Sequence, residues 1–357
     1  MTHDVVVVGG GIGGLTVAAL LAARGVDVCL IEREWQTGGC AAPFEIMDYR
    51  FEPSAGLYPQ WGPGEIHQHI FAALGLPPLQ AHLREPSYVV RLPDGDDLRV
   101  ERDEEVFFSS LRCVFPECAA EAVNFYRAIK APAEALQRLA LQFKYPSIFF
   151  PLGWLGLLAA EPRLTPHLWR ARRETAASHL TQTSLRFRQF IDAQLLSLIA
   201  QTSADCPWLF AAYALHLSRL GFHAPRGGVA SLIRTLNEAL QRAGGTVRLG
   251  ATALRLVYDE RENRAAGVVL LTGETIDAKR AVVSNLTVRD TYDKLIGVNR
   301  TPASVRARLK HLGHSGRYLL FLALDEKATA TLPAEQMIVV TDNRETTLTD
   351  AVFNLNV

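Results

Sequence analysis

Between Asp4 and Glu32 the chain has little freedom of fold. From Asp4 to Val8 the sequence is short, almost wholly apolar and β-branched, the pattern of a strand buried on both faces of a parallel sheet. It runs directly into Gly9-Gly10-Gly11-Ile12-Gly13-Gly14, where Gly9, Gly11 and Gly14 keep G-x-G-x-x-G spacing. Leu15, Ala18, Ala19 and Ala22 then recur at helical intervals, Gly25 ends that pattern, and Val26 to Ile31 reads as a second buried strand closed by Glu32. Strand, glycines, helix, strand and acid in this order, within about thirty residues, specify a βαβ dinucleotide site. Gly9 permits the tight turn, Gly11 admits a pyrophosphate to the backbone, and Gly14 lets helix and strand pack closely. The N–H groups at the helix start, around Ile12 and Gly13, receive the phosphate charge, and Glu32 accepts hydrogen bonds from the ribose hydroxyls.

Glu32-Arg33-Glu34-Trp35-Gln36-Thr37-Gly38-Gly39 follows. This acid-plus-base, short loop and glycine doublet resembles the extended fingerprint of the FAD-dependent amine oxidase and phytoene desaturase superfamily. The resemblance implies FAD as the cofactor, with Gly38 and Gly39 returning beside the pyrophosphate where a Cβ would obstruct the approach. Arg33 belongs to the same fingerprint, and Cys40, directly after the doublet, is placed near the flavin. The residues themselves favour reading Cys40 as a small buried apolar filler.

Composition bounds what remains. At 357 residues the chain is long enough for two domains or one interleaved one, and 48% apolar with 21% charged residues is too apolar for disorder. Thirty-seven basic against 37 acidic side chains argue against a nucleic-acid partner. Five scattered cysteines form no disulfide or zinc pattern, and no signal peptide opens the sequence, so a cytoplasmic setting is expected. His67, His69, His311 and His314 lack further ligands at metal spacing, so no metal is expected.

Residues from about 43 to 222 lose the βαβ rhythm. Tyr88 to Leu92 and Leu98 to Glu101 read as a hairpin, Ala119 to Phe143 as a helix broken at Pro132, and Leu185 to Thr202 as another helix. The most apolar stretch, 146–160, makes a helix of roughly 22 Å, short of the ~30 Å hydrocarbon core. It cannot span a membrane. Followed by Trp169 and the arginines at 163, 170, 172 and 173, it suits a monotopic contact over 146–173 with a membrane surface, or equally a buried helix beside a solvated basic face.

Pro225-Arg226-Gly227-Gly228 precedes an amphipathic helix with Val229, Leu232, Ile233, Leu236 and Leu240 on one face. Strands are expected near Thr246 to Leu249, Ala253 to Tyr258, Ala265 to Leu271 and Arg280 to Ser284, with the charged run 259–264 as a solvated turn. Phe190-Ile191-Asp192-Ala193-Gln194, Pro225 to Leu232, Gly244 to Leu249 and Ala281-Val282-Val283-Ser284-Asn285 together resemble carotenoid desaturases and isomerases of the phytoene desaturase type. That resemblance implies an α/β architecture. A Rossmann-type FAD-binding domain with a parallel sheet and β-meander (1–75 and 223–295) is interleaved with a mainly helical and antiparallel-sheet substrate domain (76–222 and 296–357). It also implies a backbone contact from Ala253 to the adenine, and an apolar polyene substrate drawn from a membrane on which the protein is peripheral. Such enzymes carry a C-terminal segment over the flavin that 1–357 lacks, so a truncated chain or a partner chain supplying that segment is expected. Desaturation and isomerisation use the flavin itself, and the sequence singles out no catalytic residue. Two other readings remain: an amine oxidase-like enzyme for a small substrate, and a flavoprotein subunit without activity of its own.

Overall fold

The computed structural model describes residues 1–53, 58–142, 171, 173–313, 318–341 and 352–356. The apolar stretch 146–160, the basic run through residue 170, residue 172 and His314 lie outside these residues. In chain order the first strands are β1 (Thr2–Val8), β2 (Val28–Ile31), β3 (Phe44–Ile46), β4 (Tyr49–Phe51), β5 (Ala81–Leu83), β6 (Val89–Arg91) and β7 (Asp97–Arg99). After a helical segment come β8 (His223–Pro225), β9 (Thr246–Arg248), β10 (Ala253–Asp259), β11 (Arg264–Leu270), β12 (Thr275–Ser284), β13 (Gln336–Val340) and β14 (Val352–Asn356). The chain divides into two compact units, one of Met1–Leu57, Trp61–His82 and Ala224–Ala323, the other of Tyr58–Gln60, Leu83–His223 and Leu324–Val357.

The first unit is built on a six-stranded sheet in the order β10-β11-β12-β1-β2-β9. From β12 to β9 all neighbours are parallel, whereas β10, β11 and β12 form an antiparallel meander. The apolar character of β1 and β2 is explained by position: both are central, and Val5–Val8 and all of β2 are buried. Helix α1 (Ile12–Ala22) covers the sheet with Leu15, Ala18, Ala19 and Ala22 buried, and their small side chains suit a close crossing. The helix Gly228–Arg242 packs against α1 and buries the stripe read from sequence, Val229, Leu232, Ile233, Leu236 and Leu240. Asp259 shapes the turn between β10 and β11, its carboxylate accepting from the N–H groups of Arg261 and Glu262 at 3.0 and 3.2 Å.

The second unit holds a four-stranded sheet, β14-β13-β6-β7, and a helical layer. The expected hairpin is the β6–β7 pair, with Val90 opposite Leu98. This sheet is not purely antiparallel. β13 lies parallel to β6, because it returns from far along the chain and not through a hairpin. Nor does Pro132 break its helix: α2 runs Ala119–Gln142 with the proline inside. Buried Ala122, Val123, Phe125, Tyr126 and Ile129 lie before Pro132, and Ala133 and Ala135 after it, so packing against the helix Trp208–Leu220 holds both halves in one line. That burial outweighs the one hydrogen bond the proline removes.

At the centre of this unit Gln194, fully buried, accepts from the Tyr88 hydroxyl at 2.9 Å and the Tyr126 hydroxyl at 3.1 Å, while its Nε2 donates to the Phe190 carbonyl at 3.0 Å. Burial pushes both phenol pKa values above the ordinary tyrosine range. Since the folded-state values are raised, the stability linked to these groups is present in full below pH of about 10, the unfolded tyrosine value, and drains as pH rises through it. Gln194→Ala would strip the buried Tyr126 hydroxyl of its partner and leave the Tyr88 hydroxyl only Ser218 Oγ, 3.0 Å away, at about 1–3 kcal/mol for each bond left unmade. Urea unfolding at pH 7 is expected to show a loss of about 2–5 kcal/mol, and unfolding of the wild-type chain is expected to begin at lower urea above pH of about 10.

Candidate functional site

Three strand ends are stitched together at the first glycine. The Gly9 N–H donates to the Ile31 carbonyl at the end of β2 (2.9 Å), and the Asn285 N–H, just past β12, donates to the Val8 carbonyl at the end of β1 (2.8 Å). Gly9 sits at φ +98°, a conformation side chains rarely adopt, which turns the chain from β1 toward α1. Gly14 packs so tightly under that turn that a Cβ on it would stand 2.0 Å from the Gly9 carbonyl oxygen. Gly11 is extended and caps α1; no side chain bonds the cap, and no acidic residue lies in the first turn. The partial positive end of the helix is therefore uncompensated by side chains beside Ile12 and Gly13.

Glu32 faces this turn from the end of β2 and is nearly buried, at 7% exposure. Its Oε2 accepts from the Gly10 N–H at 2.6 Å and its Oε1 from the Glu34 N–H at 2.9 Å. A carboxylate has about four acceptor positions, so two backbone donors leave capacity for further hydroxyl groups. Arg33 points away, exposed, with Nε 3.0 Å from Glu34 Oε1, so the structure does not bring its guanidinium to the glycine turn.

The doublet returns as its glycines suggest. The Gly38 N–H donates to the Gly10 carbonyl at 2.8 Å, and Gly38 bridges Gly11 in parallel fashion. A Cβ on Gly39 would lie 3.0 Å from the Gly11 Cα, and Gly38 and Gly39 have φ of +119° and +59°. Cys40 follows in the single 3-10 turn Gly39–Ala41, with an exposed thiol, so the small-apolar-filler reading of this position is not the arrangement seen. Ala253 opens β10, packs on the apolar cluster that contains Ile31 and Ala251, and pairs with Leu270. The neighbouring backbone is tied to the acid, the Ala251 N–H donating to the Glu32 carbonyl oxygen at 2.9 Å. Gly9, Gly11, Ile12, Gly13 and Gly14 at the turn into α1, Glu32 at the end of β2 and Gly38 and Gly39 of the doublet are thus brought together, with Cys40 next in the chain; Arg33 is turned away, and Ala253 stands at the start of β10.

Three contributors carry weaker sequence signals. Thr37 is buried and accepts from the Asn237 amide of the helix Gly228–Arg242, pinning the loop before the doublet. Glu52, just past β4, accepts the Val229 N–H with both oxygens, at 3.0 and 3.2 Å, and so caps that helix from far along the chain. Asn285 stands over the glycine turn. Asn285 directly follows a strand expected from sequence; nothing local marked the other two. Among the described residues no cluster of three His, Cys, Asp or Glu side chains could hold a metal ion.

Residues 7–74 match the family described as an NAD(P)-binding Rossmann-like domain. Over 309 residues the chain is 28% identical to the inactive all-trans-retinol 13,14-reductase of Danio rerio, covering 82% of this chain and 49% of that protein. It is 28% identical to prolycopene isomerase 2 of an Oncidium hybrid cultivar, covering 84% and 51% of the respective chains. It is also 28% identical to the hydroxyneurosporene desaturase of Rubrivivax gelatinosus, covering 83% and 55%. Carotenoid desaturases and isomerases thus recur among the proteins to which the chain is similar. A solved putrescine oxidase variant, 19% identical with a TM-score of 0.57 over 87% of this chain and 63% of its own, shares the fold. The chain spans about half the length of the curated relatives it matches.

The residues present fit the nucleotide half of a dinucleotide. A nearly buried carboxylate with spare acceptor positions lies beside a helix start that no side chain caps, and both border backbone that a Cβ would crowd. Gly14→Ala meets backbone at 2.0 Å, whereas the Cβ of Gly13→Ala meets only the Asn285 carboxamide, at 2.7 Å. Thermal unfolding is expected to show Gly14→Ala losing about 3 kcal/mol or more, and Gly13→Ala less than about 1 kcal/mol.

Proposed function

We propose that this chain binds FAD and forms the cofactor-holding part of an oxidoreductase acting on a long apolar polyene of the carotenoid class. The observation that carries the cofactor is the return of Gly38–Gly39 onto Gly10 and Gly11, which places a second stretch of bare backbone beside the first glycine turn. The substrate class rests on the relatives, among them a prolycopene isomerase and a hydroxyneurosporene desaturase. When bound, the flavin supplies hydride chemistry at its ring. The chain's own residues do the holding. Glu32 accepts the ribose hydroxyls, the N–H groups at the start of α1 face the diphosphate, and Ala253 offers backbone polar groups toward the adenine. Cys40 lies along the path from the diphosphate toward the ring. The sheet beneath is dry, which keeps these groups in fixed positions before the cofactor arrives.

A substrate of this class resides in lipid, so a contact with a membrane surface belongs to the proposal. The apolar sequence 146–160 and the arginines that follow it are the segment assigned to that contact. Among the described residues no helix is long and apolar enough to cross a membrane.

The test is an absorbance spectrum of the purified chain before and after addition of FAD and repurification. Flavin bands in stoichiometric amount are expected, and a colourless chain that refuses FAD would overturn the reading. Glu32→Ala removes the ribose acceptor and frees two backbone N–H groups, and is expected to weaken FAD binding at least tenfold. That equals about 1.4 kcal/mol and is read by quenching of flavin fluorescence. Thiol labelling gives a second readout. Cys40 and Cys113 are exposed, while Cys29, Cys118 and Cys206 are buried, with burial raising the Cys29 and Cys206 pKa values to about 11. Two of the five thiols are expected to react quickly, and FAD is expected to slow Cys40 but not Cys113.

A further inference from the structure

Asn285 follows the last residue of β12, where Ser284 pairs with Val8, so it is held at the carboxyl edge of the sheet directly beside Gly9. Its backbone is fixed by the 2.8 Å bond to the Val8 carbonyl, and its carboxamide extends over the turn. Asn285 is the nearest neighbour that a Cβ would meet at Gly11 (Nδ2, 3.2 Å) and at Gly13 (Oδ1, 2.7 Å). At Gly14 it is second only to the Gly9 carbonyl, with Cβ at 3.0 Å and Nδ2 at 3.2 Å. The residue is exposed, and no described residue hydrogen-bonds its carboxamide.

We propose that Asn285 is a specific ligand of the diphosphate, its carboxamide N–H donating to a phosphate oxygen held at the start of α1. This inference rests on the dinucleotide reading of the site. The physical case has two parts. The backbone N–H groups at a helix start approach an anion from one side only, along the helix axis. A carboxamide anchored on a neighbouring strand supplies a donor from a second direction, and its anchoring by β12 means that little side-chain freedom is lost on binding. An amide is also the fitting chemistry. It donates without the charge that a lysine would bring, and in the absence of ligand its oxygen can turn toward the positive end of α1.

Binding of ADP, AMP and adenosine to the whole chain tests this by calorimetry, because these probes differ only in phosphate. Asn285→Ala is expected to weaken ADP about tenfold, the loss of one hydrogen bond to a charged group, while adenosine changes less than about twofold. Asn285→Asp sets a carboxylate against the phosphates and is expected to weaken ADP about thirtyfold or more at low salt, with the gap narrowing as salt is added. Unchanged or tighter ADP binding by Asn285→Ala would overturn the assignment, as would equal weakening of ADP and adenosine, which is the mark of a merely structural role. So would a wild-type chain that binds no ADP. A wild-type chain that binds ADP through Asn285 yet refuses FAD would keep the inference and discard the flavin reading, so the two fail separately.

Discussion

The cofactor unit depends on a contact between two pieces of backbone: the carbonyl of Gly9 lying where any side chain on Gly14 would have to be. This contact sets how close α1 comes to β1, and that distance sets everything above it. With α1 drawn in, its first N–H groups open at the level of the strand ends. Glu32 can then bond the Gly10 N–H, and the Gly38–Gly39 doublet can lie against Gly10 and Gly11. A slightly thicker turn would leave a carboxylate buried without its donor and a doublet without its seat. Burying such groups unpaired costs more than the turn's own strain.

Much of this was legible in sequence because it is local. Asp4 through Glu32 contains a strand, a turn, a helix and a strand whose periodicities are each complete within a few residues, and β1, α1 and β2 appear where those periodicities put them. The stripe Val229, Leu232, Ile233, Leu236 and Leu240 was equally plain, as was the hairpin of β6 and β7. What escaped was set by distant partners. Pro132 should have stopped a helix, and the neighbours of α2 in space carried the helix through it. The parallel seat of β13 beside β6 depends on a strand nearly 250 residues earlier in the chain, and no local pattern encodes that.

The same division runs through the site. Glycines announce themselves, since few positions require positive φ or a missing Cβ, and an acid at the end of a buried strand is conspicuous for its surroundings. Thr37, Glu52 and Asn285 are ordinary polar residues whose importance comes from what the fold brings to them: an amide from Asn237, the open end of the helix Gly228–Arg242, and the glycine turn. Arg33 shows the converse. Its place in a fingerprint made it conspicuous, and its guanidinium turns outward to Glu34.

The order of strands in the first sheet carries a consequence for how the chain comes to be folded. β1 lies between β2, which is close in sequence, and β12, whose Ser284 pairs with Val8, while β2 receives β9 from residues 246–248 on its other side. During synthesis the amino-terminal βαβ unit of β1, α1 and β2 must wait, with both sheet edges open, until the ribosome has delivered more than two hundred further residues, at roughly 5–20 residues per second. For that interval the most apolar strands of the unit are unpaired templates, so the newborn chain is at its most prone to aggregate well before the cofactor site exists. Closing so long a loop also makes this sheet a slow, late event, and the nucleotide site forms only at the end of it.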